Sequence, residues 1–396
     1  MMTEAKQGKD HPLEGKATGT VTLANWQENR AYGLRNFERV VPDLIAVNAE
    51  QIRPLTVERD YGIDLLPGVK ALRAHGALDG LLVLKGDRIA FEAYSNGMTP
   101  TRLHSCQSSS KTIMNMLAGK AIVEGDLDLQ ASVEEYVPEI GSGFRGRTVE
   151  DVLAMNVRHE LDEPAAYTGD RTLLDKEESS MGFVSASFTP MNRREFIASL
   201  GAGNEDGTNE NRSGGYFYAT VNTALAGWLV EHATGIPLQR AVREAMHAIG
   251  GENTIQMAVD RVGVPIVGGG FVMTLRDFGR YGMLLGSGGV GVGGEVVGGG
   301  AEFVKRTLEE GSVRIAIDGE VLDGYHYVYS TFTSPWGLGH AGWGGQWVWA
   351  DPGSDTVIAA FAGLMGTNPA DHAYASLLVG MTCDVVEYAR DGGSAG

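Results

Sequence analysis

The placement of two hairpins at opposite ends of the chain constrains its fold more than any other feature. "DGLLVLKGDRIAFEAYSNG" (79–97) reads as two strands around the turn-type triplet Lys85-Gly86-Asp87. "GGQWVWADPGSDTVIAAFAG" (344–363) repeats that pattern around Asp351-Pro352-Gly353. After it, "PADHAYASLLVGMTCDVVEYAR" (369–390) has the length and apolar period of an amphipathic helix, with Pro369 near its start, and "DGGSAG" reads as a frayed tail. Between the hairpins the pattern turns helical and loopy. Candidate helices lie at 110–124, closed by Gly125, at 149–155 and 193–200, at 222–234, closed by Gly235, and at 237–248 and 274–285. Strands from both ends with helices between them predict one antiparallel sheet built from the two termini, an α/β (α+β) class with a mostly helical subdomain inserted. The implied division is a flexible tail at 1–20, a discontinuous α/β subdomain at 21–110 and 251–390, and a helical subdomain at 111–250. A small-molecule site belongs in the cleft between such parts.

Composition narrows the partners. The 396 residues are 43% hydrophobic and 21% charged, ordinary for a globular protein, with a formal charge of −18 and no Lys/Arg-rich run. A nucleic-acid partner is not expected. Two cysteines, Cys106 and Cys383, are too few for a disulfide framework and read as free thiols. The opening "MMTEAKQGKDHPLEGKATGT" lacks the apolar core of a secretory signal, and no run approaches the ~20 apolar residues of a membrane span. The expectation is a cytoplasmic protein without a membrane partner, monomeric or homodimeric.

Three motif matches carry little. "GVGVGG" (289–294) fits G-x-G-x-x-G but follows a helical pattern instead of leaving a strand, so it reads as a glycine-rich connection. G-x-S-x-G occurs only as Gly392, Ser394 and Gly396 at the extreme C-terminus, where no strand–turn–helix can form. The nine histidines include no H-E-x-x-H and neither cysteine sits in a C-x-x-C pair, so no zinc site is readable. No cofactor is expected.

"LHSCQSSSKTIMNML" (103–117) is different. A serine hydroxyl is a poor nucleophile at neutral pH unless a base lies within hydrogen-bond reach. A helix starting near Ser108 brings Lys111, three residues on, to the same face, whereas Ser109 and Ser110 point elsewhere and Ser105 is two turns away. The helix N-terminus adds a positive field that favours oxyanions at Ser108. Ile113, Met116, Leu117 and Ala121 would bury the helix behind the pair. Two further segments follow in order: "GGYFYATVNTALAGWLVEHATG" (214–235), with tyrosines ahead of a helix, and "GLGHAGWGGQWVWADP" (337–352), with His340-Ala341-Gly342 ahead of a hairpin strand.

With these segments in that order, the chain resembles the serine β-lactamase and penicillin-binding-protein superfamily, on its class C and esterase side. Within it, the likeness is greatest to 6-aminohexanoate-oligomer (nylon-dimer) hydrolases. It extends to "TLANWQENR", "EGDLDLQASVEEYVPEI", "NTALAGWLVE" and "GGQWVWADPGSDTVI". The resemblance implies Ser108 as nucleophile, Lys111 as its partner and Tyr218 as general base, with Tyr216 the rival on the same face of an extended segment. It places His340, Ala341 and Gly342 where lactamases carry K-T-G, and it implies an oxyanion hole from the backbone N–H groups of Ser108 and Trp343. Free tyrosine and lysine titrate near ~10 and ~10.4, too high for a base at pH 7, but neighbouring charge and burial can move either.

Two positions depart from the lactamase pattern. Thr220 stands for the asparagine that meets a β-lactam side-chain amide, and His340 for the lysine that meets its carboxylate. The reading is therefore a cofactor-free serine acyl-enzyme hydrolase of a small amide or ester. Its main alternative is a transacylase passing the acyl group to an amine in natural-product assembly. A β-lactamase or DD-peptidase, or a non-catalytic sensor domain, ranks below both. Candidate substrate contacts are Tyr167, Asp170, Thr220, Trp343 and the loop 158–190. That loop carries Asp162, Glu163, Asp170, Asp175, Glu177 and Glu178. It reads first as solvated, and second as an anchor for a substrate ammonium.

Overall fold

Along the strand Leu78–Lys85, successive side chains point to opposite faces, and the sequence makes both faces apolar. Leu81 and Val83 join a core with Val69, Leu72, Leu378 and Met381, while Leu82 and Leu84 join a second with Leu275, Phe278 and Leu285. Helices must therefore cover both sides. In the computed structural model, which describes residues 25–26, 29–167, 169–184, 191–203, 216–310, 324–364 and 372–393, they do. The helices Pro67–Arg73 and His372–Arg390 lie on one face, and Leu275–Gly286 lies on the other.

Among the described residues the sheet has eight strands, in the order 56–57, 88–94, 78–85, 356–362, 346–351, 337–342, 331–334, 326–328. The two expected hairpins are its middle, joined by the antiparallel pairing of 356–362 with 78–85, in which Val357 faces Leu84. Gly86 turns the first hairpin at φ +55. Among the described strands, only the two-residue edge strand Thr56–Val57 pairs in parallel. A second sheet of four short strands, Leu44–Val47, Ile255–Ala258, Phe271–Met273 and His104–Ser105, has no counterpart in the sequence expectation.

The expected helices form at Ile113–Glu124, Val149–Leu153, Arg193–Ser199, Thr220–Thr234, Leu238–Ala248 and Leu275–Gly286. Gly125 and Gly235 end theirs in the left-handed conformation, at φ +83 and +68. Ile113–Glu124 is buried nearly all round and packs on Thr220–Thr234 and on Gly300–Glu309, a helix the sequence did not announce. Residues 289–294 form a connection braced by a Val290–Val296 bridge. The expected tail at 1–20, the first residues of "TLANWQENR", parts of the loop 158–190, residues 369–371 and 394–396 lie outside the described residues. Among those described, no helix is long and apolar enough to cross a membrane.

Candidate active site

Between the two sheets the chain makes a tight turn before its central helix. Residues Gln107–Thr112 form a 3-10 helix that runs into Ile113–Glu124, so the helix expected near Ser108 starts in the tighter winding. Gln107 adopts φ +47, a left-handed conformation that costs a non-glycine residue of order 1 kcal/mol. Ser105 Oγ braces it by accepting from the Gln107 backbone N–H at 3.3 Å and from Nε2 at 2.7 Å. Ser109 and Ser110 are buried and serve as ties to the two sheets. Ser109 Oγ donates to the His340 carbonyl at 3.0 Å, and Ser110 Oγ accepts from the Phe271 N–H at 3.1 Å. Ser108 is the one residue between His104 and Gly119 that is not buried.

Three groups converge on it. Lys111 Nζ lies 2.9 Å from Ser108 Oγ, and Tyr218 Oη donates to the same oxygen at 2.8 Å. The lysine also donates to the Gly268 carbonyl at 2.7 Å and to Thr220 Oγ1 at 3.0 Å. Thr220 opens the helix Thr220–Thr234, and the irregular residues before it carry Tyr218. Tyr216 stays off the serine, its ring packed on Tyr327 at 5.4 Å. Burial drives the Lys111 amine below its ordinary range. It drives the Tyr218 phenol well above 10, and the charge of Glu163 pushes the same way. Both effects disfavour a Tyr218 phenolate.

A cleft opens over Ser108, lined by Trp26, Tyr167, Leu174, Met181, Phe183 and Trp343, with Thr220 and Glu163 deeper in. Ser108 and Trp343 both border this space. Gly342 lets the strand 337–342 press against the turn: a Cβ there would sit 2.5 Å from the Cys106 carbonyl. His340 does not reach the cleft with its side chain. Its ring is buried and stacked on Phe332 at 4.3 Å, and burial lowers its pKa to about 3, so it is neutral. Asp170 is exposed and accepts from the Thr172 N–H at 2.9 Å and hydroxyl at 2.6 Å at the start of the helix Thr172–Ser180.

The acidic loop departs most from expectation. Asp162, Asp170 and Asp175 face solvent or its edge, but Glu163, Glu177 and Glu178 are only 5%, 0% and 6% exposed. Each has an internal partner: Glu163 accepts from the Thr220 N–H and hydroxyl, Glu177 pairs with Arg193 at 2.7 Å, and Glu178 pairs with Arg171 at 3.0 Å. Leu174, Glu177, Glu178 and Met181 recur at helical spacing, the pattern that could have shown two acids turning inward with the apolar face. Among the described residues, no group of three or more His, Cys, Asp or Glu side chains is placed to hold a metal ion.

A family model described as Beta-lactamase matches residues 68–380. The chain belongs to the beta-lactamase family. Its coarse chemistry, hydrolysis, comes with that membership and with a curated relative, the 6-aminohexanoate-dimer hydrolase of Paenarthrobacter ureafaciens. That protein is 28% identical over 373 residues, 89% of this chain and 91% of the relative. Solved structures share the family fold. The "Putative 6-aminohexanoate-dimer hydrolase from Bacillus anthracis" superposes with a TM-score of 0.76 at 18% identity, over 95% of this chain and 98% of that one. "EstCE1, a hydrolase with promiscuous acyltransferase activity" superposes with a TM-score of 0.57 at 15% identity, over 83% and 99%.

Proposed function

We propose that this beta-lactamase-family chain is a serine hydrolase that forms an acyl-enzyme on Ser108 and cleaves a small amide or ester. The observation that carries the reading is the convergence of Lys111 Nζ and Tyr218 Oη on one half-buried hydroxyl at the floor of a cleft. In acylation, neutral Lys111 takes the Ser108 proton as Oγ attacks the carbonyl carbon. Tyr218, kept as a phenol, gives its proton to the departing nitrogen or oxygen and is restored from Lys111. In deacylation a water gives up its proton through the same pair as it attacks the ester carbonyl, by microscopic reversibility. The backbone N–H groups of Ser108 and Trp343 would hold the oxyanion.

The cleft wall favours an apolar acyl or leaving group. Its accessible side is aromatic and aliphatic, and its buried acids already have internal partners, Thr220 for Glu163, Arg193 for Glu177 and Arg171 for Glu178, which weakens the case for a substrate ammonium anchor. A relative named for hydrolysis of 6-aminohexanoate dimer supports a short amide. His340, buried against Phe332, is not available to a β-lactam carboxylate, which argues against a lactamase or DD-peptidase. The second reading, acyl transfer to an amine, gains support from a fold neighbour titled for promiscuous acyltransferase activity.

The test is covalent labelling by a fluorophosphonate followed by a burst experiment with a chromogenic ester across a series of amine concentrations. Ser108→Ala should abolish labelling and lower kcat at least ~10³-fold. The wild-type acyl-enzyme should clear in water alone. A stable acyl-enzyme that clears only with an amine would make the protein a transacylase, and labelling that survives Ser108→Ala would remove the reading altogether.

A further inference from the structure

We propose that Glu163 is a positioning residue that decides which side of the Lys111 amine faces Ser108, acting through the Thr220 hydroxyl. The inference rests on the reading of Ser108 as nucleophile and Lys111 as its base.

The argument is a proton count. Thr220 Oγ1 carries one hydrogen, and it donates that hydrogen to Glu163 Oε1 at 3.0 Å. Toward Lys111, 3.0 Å away, the same oxygen can then offer only a lone pair. The Gly268 carbonyl, 2.7 Å from Nζ, can only accept. Two of the amine's hydrogens are thus committed, to Thr220 and to Gly268. A neutral amine has two hydrogens and one lone pair, and the remaining direction points to Ser108 Oγ at 2.9 Å. An ionised Glu163 therefore aims the lone pair of neutral Lys111 at the hydroxyl it must deprotonate.

Protonation reverses the chain. Glu163 Oε2 accepts from the Thr220 backbone N–H, so an added proton goes to Oε1. That O–H donates to Thr220 Oγ1, whose own hydrogen then turns to Lys111 Nζ. The lysine lone pair is drawn to Thr220 and away from Ser108. The carboxyl is placed for such a change: burial first, and the charge of Glu177 second, raise its pKa, while Lys111 and the Thr220 hydrogen bonds lower it. The other groups set against this cluster are Arg193, which pairs with Glu177, the His340 imidazole, kept neutral by burial and Lys111, and the phenols of Tyr167, Tyr216 and Tyr218, all kept protonated by burial.

Glu163→Gln fixes the reversed polarity, because its amide oxygen can serve the Thr220 N–H while its NH₂ donates to Thr220 Oγ1. The experiment is a pH profile of kcat and KM on a chromogenic ester for wild type, Glu163→Gln, Thr220→Val, Thr220→Ser and Glu163→Gln/Thr220→Val. Glu163→Gln should lower kcat about a hundredfold, the low end of a general-base contribution, with KM changed less than about threefold. The acid limb that wild type shows as Glu163 protonates should vanish in it. The double variant should lose no more than the worse single variant, and Thr220→Ser should recover most of what Thr220→Val loses. Should Glu163→Gln fail to fold, the contrast between Thr220→Ser and Thr220→Val still decides. A wild-type kcat in Glu163→Gln, losses that multiply in the double variant, or equal activity of Thr220→Ser and Thr220→Val would overturn the proposal. Ser108→Ala separates the two levels: if it stays active the nucleophile assignment fails, and if it is dead while Glu163→Gln is unimpaired only the positioning role does.

Discussion

Ser108, Ser109 and Ser110 have the same hydroxyl and three different tasks. One faces the cleft, one ties the turn to the large sheet, and one ties it to the small sheet. The three-residue spacing from Ser108 to Lys111 was readable in the sequence because it depends only on local helical geometry. Tyr218 needed a family pattern, since nothing local aims it at a residue 110 positions away. Burial favours the protonated phenol, and the proposed proton-donor role of Tyr218 rests on that. Tyr218→Phe should therefore hold KM and lower kcat ~10²–10³-fold through loss of the proton delivered to the leaving group. The loss should be smaller for an ester with a good leaving group than for an amide, as paired steady-state assays would show. A uniform loss across leaving groups would return Tyr218 to the part of base. Glu163 was hidden for a different reason: a glutamate in a run of acids looks solvated until the turn that buries it is known.

Long strands and helices were legible because burial on both faces leaves a continuous apolar signature, as in "LDGLLVLK" and "TVIAAFA". The small sheet was not, since its strands are two to four residues long and His104–Ser105 has no period to read. The helix Gly300–Glu309 escaped because it starts directly from a glycine-rich stretch. At this scale the critical joint is between the strand 337–342 and the serine turn. Gly342→Ala would drive a Cβ toward the Cys106 carbonyl, a backbone atom that cannot step aside. We expect a loss of about 1–3 kcal/mol in urea unfolding, typical of overpacking, together with a more than tenfold fall in kcat as the Ser109–His340 tie lengthens. Unchanged stability and turnover would show that the strand can slide without moving the turn.

Over the whole molecule, two buried histidines lower stability on the acid side. His159, between Phe144 and Phe217, and His340 are both held to about 3 by burial. The unfolded chain protonates them near 6.5, so it binds more protons than the native state below that pH, and stability falls as pH drops from 6.5 toward 3. Each contributes a slope of at most ~1.4 kcal/mol per pH unit. Glu163, whose raised pKa makes the native state the better proton binder above 4.5, offsets at most one of the two. Thermal melts should show Tm declining between pH 6.5 and 4, and His340→Gln should reduce that slope; a pH-independent Tm would mean that these rings become hydrated. The contacts of the serine turn carry one more consequence, in the time domain. Ser108 meets a partner 110 residues away, Lys111 one 157 away, Ser109 one 231 away and Ser110 one 161 away. Such distant pairings form late, because loop closure must precede them. A nascent or half-folded chain thus carries Ser108 beside Lys111 but without Tyr218, and the serine turn is complete only when segments 110 to 231 residues apart have met.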